Sequence, residues 1–237
     1  MAQLDDLLKY KKKVILKNPR GEDIKAVWIR VLGDDDLKAA FQASRVASAE
    51  KRKQLRDKNS VAYKDEIVAT LKEGERDSWE QIILASKENE FVNNAPIVVP
   101  REDAPKMEEI AVQPDAPTLE EQERLDAAEK EQDDKFRQAL EEYIQTKLAE
   151  LKAHMDELTD ERVFEMATIE YVNIQALQAF LEELQDQKGF LGTYMDEACT
   201  ERGYSTIAAY KNADGRIKAQ IAEAYSGLEL GTDDLKN

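Results

Sequence analysis

Residues 96–117 read PIVVPREDAPKMEEIAVQPDAP, and they hold Pro96, Pro100, Pro105, Pro114 and Pro117, five of the six prolines in the chain. Each proline fixes φ and removes a backbone donor, so repeated helix or sheet is disfavoured across such a run. Sequence on either side is periodic. The cluster therefore divides the 237 residues into an N-terminal module (residues 1–93), an extended linker (94–117) and a C-terminal helical module (118–237). The expected fold is mainly α, with a small N-terminal β-hairpin plus helices, an extended linker and a C-terminal helical bundle.

N-terminal to the linker, Lys12-Lys13-Val14-Ile15-Leu16 is a short strand-like run. Asn18-Pro19-Arg20-Gly21 follows, with proline suited to the second turn position and glycine to a positive φ, the pattern of a type I turn with a glycine bulge. Ile24 to Val31 then reads as a second strand. Two strands are marginal alone, so the hairpin is expected to lie on helices or on a partner. Asp34-Asp35-Asp36 is expected to cap a helix reaching about Asp57, with Leu37, Ala40, Phe41, Ser44, Ala47 and Ser48 along one face. Asn59-Ser60 breaks it, and Gly74 interrupts the helical pattern that follows.

Beyond the linker, Thr118 and Glu121 have capping-box spacing. The long helix that follows is polar in its first half. From Phe136 it carries one apolar stripe of Leu140, Ile144, Leu148, Leu151, Met155 and Leu158, suited to bundle packing or a short coiled coil. Thr159-Asp160 starts another helix, apolar nearly all round, which should be buried centrally. Gly189 and Gly192 are read as a break, followed by a short helix holding Tyr194, Met195, Ala198 and Cys199. Asn212-Ala213-Asp214-Gly215 marks a turn, and Ile217 to Leu228 the last helix, ending at Gly231.

The formal net charge is −16, and residues 101–135 carry thirteen acidic against five basic residues. That balance argues against nucleic acid and favours basic protein partners. No apolar run approaches the ~20 residues of a membrane span, no secretory leader is visible, and a single cysteine suits a reducing compartment, so the expectation is cytoplasmic. His154 has Glu150 and Glu157 on its helix face, but no second histidine exists to build a site. Cys199 has no base near it in sequence. No catalytic, cofactor-binding or metal-ligating set is read, and no cofactor is expected. Two surfaces are candidates for partner binding: Trp28 on the hairpin, and the stripe Leu140, Ile144, Leu148 and Leu151.

The C-terminal order Ile174-x-x-Leu177, Phe180-Leu181, Tyr194 to Arg202, Ala222-Glu223-Ala224-Tyr225-x-x-Leu228-Glu229 and Leu235-Lys236-Asn237 resembles the tail assembly chaperones of long-tailed bacteriophages. The resemblance spans residues 160–237, with support from 12–57. It implies a small acidic helical protein without catalytic residues that keeps the tape measure protein soluble during tail morphogenesis, possible further partners being tail tube subunits. Residues 96–135 depart from that pattern. The alternative is a structural or scaffolding component of the virion acting through the long helix. Oligomeric state is left open by the residues.

Overall fold

The computed structural model describes residues 11–98 and 119–229, and the fold is mainly helical with an N-terminal antiparallel hairpin. Strands β1 (Lys11–Lys17), β2 (Asp23–Arg30) and β3 (Thr193–Tyr194) form one sheet in the order β1-β2-β3. Helices are α1 (Asp34–Arg56), α2 (Tyr63–Lys72), α3 (Arg76–Val98), α4 (Leu119–Asp156), α5 (Asp160–Gly192), α6 (Ile207–Lys211) and α7 (Gly215–Glu229). Among the described residues these gather into two compact units. One holds those up to Asp57 together with those from Gln175 onward; the other runs from Lys58 to Ile174. These units differ from the sequence-based modules, because the N-terminal hairpin shares a core with the C-terminal helices.

In the first unit the turn forms as its residues dictate. Gly21 has φ +80°, Asn18 Oδ1 accepts from the amides of Arg20 (2.8 Å) and Glu22 (3.0 Å), and the ladder shifts register between Leu16 and Lys17. Alternation then sorts the strands: Leu16, Val27 and Ile29 are buried, while Ile15 and Ile24 face out. α7 covers the buried face with Ile221, Ala224, Tyr225 and Leu228, and Tyr225 Oη accepts from Leu32 N at 3.2 Å. The Gln220 side chain bonds both backbone groups of Lys17 (2.9 and 3.0 Å). The hairpin thus rests on a helix of its own chain, which supplies the cover that two strands need.

Several expectations are corrected. The α1 N-cap is Gly33, which has no side chain to cap with; the three aspartates lie inside the first turn, where they complement the helix dipole, and Asp36 also accepts from Arg30 (2.9 Å). α3 continues through Pro96 to Val98, so the linker's first residues are helical: proline's fixed φ is compatible with a helix, and only the last turn loses a donor. Residues 99–117 of the linker, Thr118 of the capping box and Gly231 lie outside the described residues. α5 does not break at Gly189 but runs to Gly192, and Tyr194 belongs to a strand, not a helix.

In the second unit α3 packs along α4. Ile83, Met155, Val163 and Ala167 form a buried cluster, joined by Trp79, Leu84, Leu151, Leu158 and Met166. Trp79 meets Phe164 edge-on, ring centroids 5.2 Å apart, and donates its indole N–H to Leu71 O at 2.7 Å. α2 is wound as a π-helix, and Thr70 Oγ1 donates to Asp65 O, five residues back. Arg76 reaches across to the α4–α5 turn, where it bonds Met155 O (2.5 Å), Leu158 O (3.0 Å) and the Asp160 carboxylate (2.6 Å).

Candidate partner-binding surfaces

The residues singled out from sequence take different places. Trp28 lies on β2 between Lys13 of β1 and Tyr194 of β3, half-buried, with the Lys11 ammonium 5.9 Å from its ring. In the stripe of α4, Ile144 is buried, Leu140 and Leu148 are half-buried, and Leu151 packs on the core cluster of its unit. A partner using Ile144 or Leu151 would have to displace packing the unit already has.

The larger apolar exposure lies elsewhere, on α5. That helix is not buried all round: Leu177 is 58% and Leu181 53% exposed, whereas Ala176 is fully covered. In this stretch the covered residues of α5 are Val172 and Ala176. Spacing alone did not disclose this. The signal was present in the exposed polar residue that follows each leucine of this stretch, Gln178, Glu182 and Gln185, of which Gln178 Nε2 donates to Glu182 Oε1 at 2.8 Å.

Beside Leu181 opens a depression of about 200 Å³ walled by Leu184, Gly189, Tyr210, Ala222 and Tyr225. Its form depends on Gly189, because a Cβ there would lie 2.0 Å from Tyr210 Oη. Burial of Tyr210 pushes its phenol well above the ordinary range, so it stays neutral. Gln185, Lys188 and Ser226 supply the polar lining of the depression, and elsewhere on α5 Glu183 pairs with Lys211 and Asp186 with Lys218 Nζ at 3.1 Å. Partial burial would raise the Glu183 carboxyl, but bonds from Lys211 and Gln187 outweigh it and hold it below its usual value. The depression is therefore lined mainly by apolar and neutral groups, with Lys188 its one charged lining residue.

A second cluster ties β3 to the hairpin. Tyr194 is buried, with the guanidinium of Arg30 5.0 Å and that of Arg202 4.8 Å from its ring centre. Asp36 bridges both cations, at 2.9 and 3.6 Å. The intervening loop closes on Asp196, whose carboxylate accepts from Glu201 N (2.8 Å), Thr200 N (3.3 Å) and the Thr200 hydroxyl (3.1 Å). Those donors, Glu201 N foremost, lower its pKa. Cys199 sits in this loop at φ 53°, and burial pushes its thiol up, away from thiolate chemistry. His154 is exposed, and Glu150, on its helix face, pairs with Lys147 at 2.7 Å. Among the described residues no three potential metal ligands gather, and no helix is long and apolar enough to cross a membrane.

No protein family matches the chain, and no curated protein or solved structure shows significant similarity to it.

Proposed function

We infer that the chain is a non-enzymatic binding protein, a tail assembly chaperone of long-tailed bacteriophages that covers apolar helices of a tape measure protein. The observation that carries this reading is the pair Leu177 and Leu181, exposed on α5 beside the apolar depression at Tyr210 and Tyr225. Leu177, Leu181 and Leu184 stand at i, i+4 and i+7, the spacing with which one helix face meets another in a groove. The occupant is an amphipathic helix, whose apolar side would cover the leucines. Gln185 and Lys188, which line the depression, would meet the polar flanks of that helix. Support for the particular partner comes from the resemblance over residues 160–237. The high net charge supports the role as well, since it keeps a complex soluble while its apolar surfaces are shared.

Coexpression with a tape measure fragment tests this. Wild-type protein should raise the fragment's soluble fraction, and Leu177→Asp/Leu181→Asp should abolish the gain while the protein itself stays folded. A fragment that remains insoluble with wild-type protein would remove the reading and leave the virion-component alternative.

A further inference from the structure

On α1 the charge balance of the chain is locally reversed. Arg45, Arg52, Lys53 and Arg56 are all exposed and lie along one helical face, at i, i+7, i+8 and i+11. Together with Ser48, Ala49 and Phe180 they line a shallow depression of about 460 Å³, and no carboxylate is among its lining residues. Among the described residues none of the four cations is in an ion pair. Like charges at i and i+4, as at Arg52 and Arg56, repel one another on a helix. The helix dipole accounts for cations in the last turn, Lys53 and Arg56, but its influence does not reach back to Arg45. The face is thus suited to an anionic surface with some apolar content, since Phe180 is among its lining residues.

We propose that this face docks the acidic first half of α4 from a second copy of the chain. By sequence, residues 119–134 hold eight carboxylates and two cations. Asp126, Asp133 and Asp134 line one depression of that helix, at i, i+7 and i+8, the spacing of Arg45, Arg52 and Lys53. Laid antiparallel, which reverses that order, the two helices place Asp134 opposite Arg45 and Asp126 opposite Lys53, while Asp133 and Arg52 flank these pairs opposite Val46 and Ala127. In the same register the two cations of the α4 face find no cation: Lys130 falls opposite Ala49 and Arg137 opposite Gln42. The net charge of each chain opposes association at long range, but at ordinary ionic strength charges beyond about 8–10 Å are screened and the local match decides.

Sedimentation velocity of the full chain across a concentration series tests the proposal, at about 0.1 M and about 1 M salt, where the screening length falls from ~10 to ~3 Å. The expected result is self-association at the lower salt that requires at least tenfold more protein at the higher. Arg45→Glu/Arg52→Glu/Arg56→Glu should abolish it, and so should Asp126→Lys/Asp133→Lys/Asp134→Lys. Mixing the two variants should restore it, because each then offers what the other lacks. Circular dichroism verifies that each variant is folded, and glutamine in place of glutamate at the three arginines serves if the first set is not. A mass of one chain at every concentration, or association unchanged by the arginine substitutions, would overturn the proposal. So would a wild-type protein that stays monomeric but binds a single-stranded DNA oligonucleotide through the same arginines.

Discussion

The Tyr210 hydroxyl occupies the space that a side chain on Gly189 would fill: an ideal Cβ at Gly189 lies 2.0 Å from Tyr210 Oη and 2.4 Å from Cζ. Tyr210 is buried against the core of its unit and cannot simply swing away. Glycine within a helix is ordinarily a cost, so at this position close packing outweighs propensity. Gly189→Ala should destabilise the protein by about 1–3 kcal/mol, the range of overpacked cores. Gly227, within α7, has nothing within 4 Å of the same construction. Gly227→Ala should be neutral or stabilising by up to ~1 kcal/mol. Paired denaturant melts decide the matter; equal shifts for both variants would show that Tyr210 yields.

Arg76 is the clamp of the second unit. Its planar fork serves two backbone carbonyls, Asp160 and, through Nε at 2.7 Å, Glu80. Bonds to Asp160 and Glu80 raise its already high pKa, so its charge is constant at any working pH. An ammonium cannot present donors in that arrangement. Arg76→Lys should therefore lower the melting temperature nearly as much as Arg76→Ala. Full rescue by lysine would show that charge alone holds the turn.

What sequence disclosed, and what it hid, follows from the range of the interactions involved. The β1–β2 hairpin was legible because Pro19 and Gly21 specify their turn locally, and α1 because its boundaries lie at Gly33 and Asp57. β3 was not legible. Thr193 and Tyr194 are only two residues, and they become a strand by pairing with Ile29 and Trp28, more than 160 positions earlier. Gly189 and Gly192 read as breakers because propensity is local, while the reasons for both are neighbours distant in sequence, Tyr210 and Tyr225. Burial along the two helices was hidden for the same reason. Leu151 lies in a clear apolar stripe and is covered; Leu181 lies in a helix that reads as buried and is not.

The loop closed by Asp196 should respond to acid. Its carboxylate is stabilised by the Glu201 and Thr200 donors, so the folded pKa lies below the unfolded one. The stabilisation is fully present above the ordinary aspartate range and is lost as the pH falls through the depressed value. Protection of the Glu201 amide, its exchange compared with the unprotected rate at the same pH, should be high at neutral pH and fall under acid conditions before the protein as a whole unfolds. Asp196→Asn should remove that step and leave the Glu201 amide weakly protected throughout. An unchanged profile in the variant would mean that backbone pairing alone, such as Met195 N to Glu201 O at 2.9 Å, holds the loop.

The α5 leucines separate stability from binding. A charge placed at Leu177 or Leu181 stays in water, so neither desolvation nor a cavity arises, and surface changes of this kind stay within about 0.5 kcal/mol. Ala176, one residue before Leu177 and fully covered, is the internal control. There an aspartate would be buried without a partner, and Ala176→Asp should cost about 3 kcal/mol or more. Thermal melts of the three variants should thus show one large loss and two near-wild-type transitions. If Leu177→Asp and Leu181→Asp melt like wild type yet fail to keep a tape measure fragment soluble, the face is a binding surface. Large thermal losses in all three would mean that the leucines are covered in the folded protein, and the docking surface would have to be sought elsewhere on the chain.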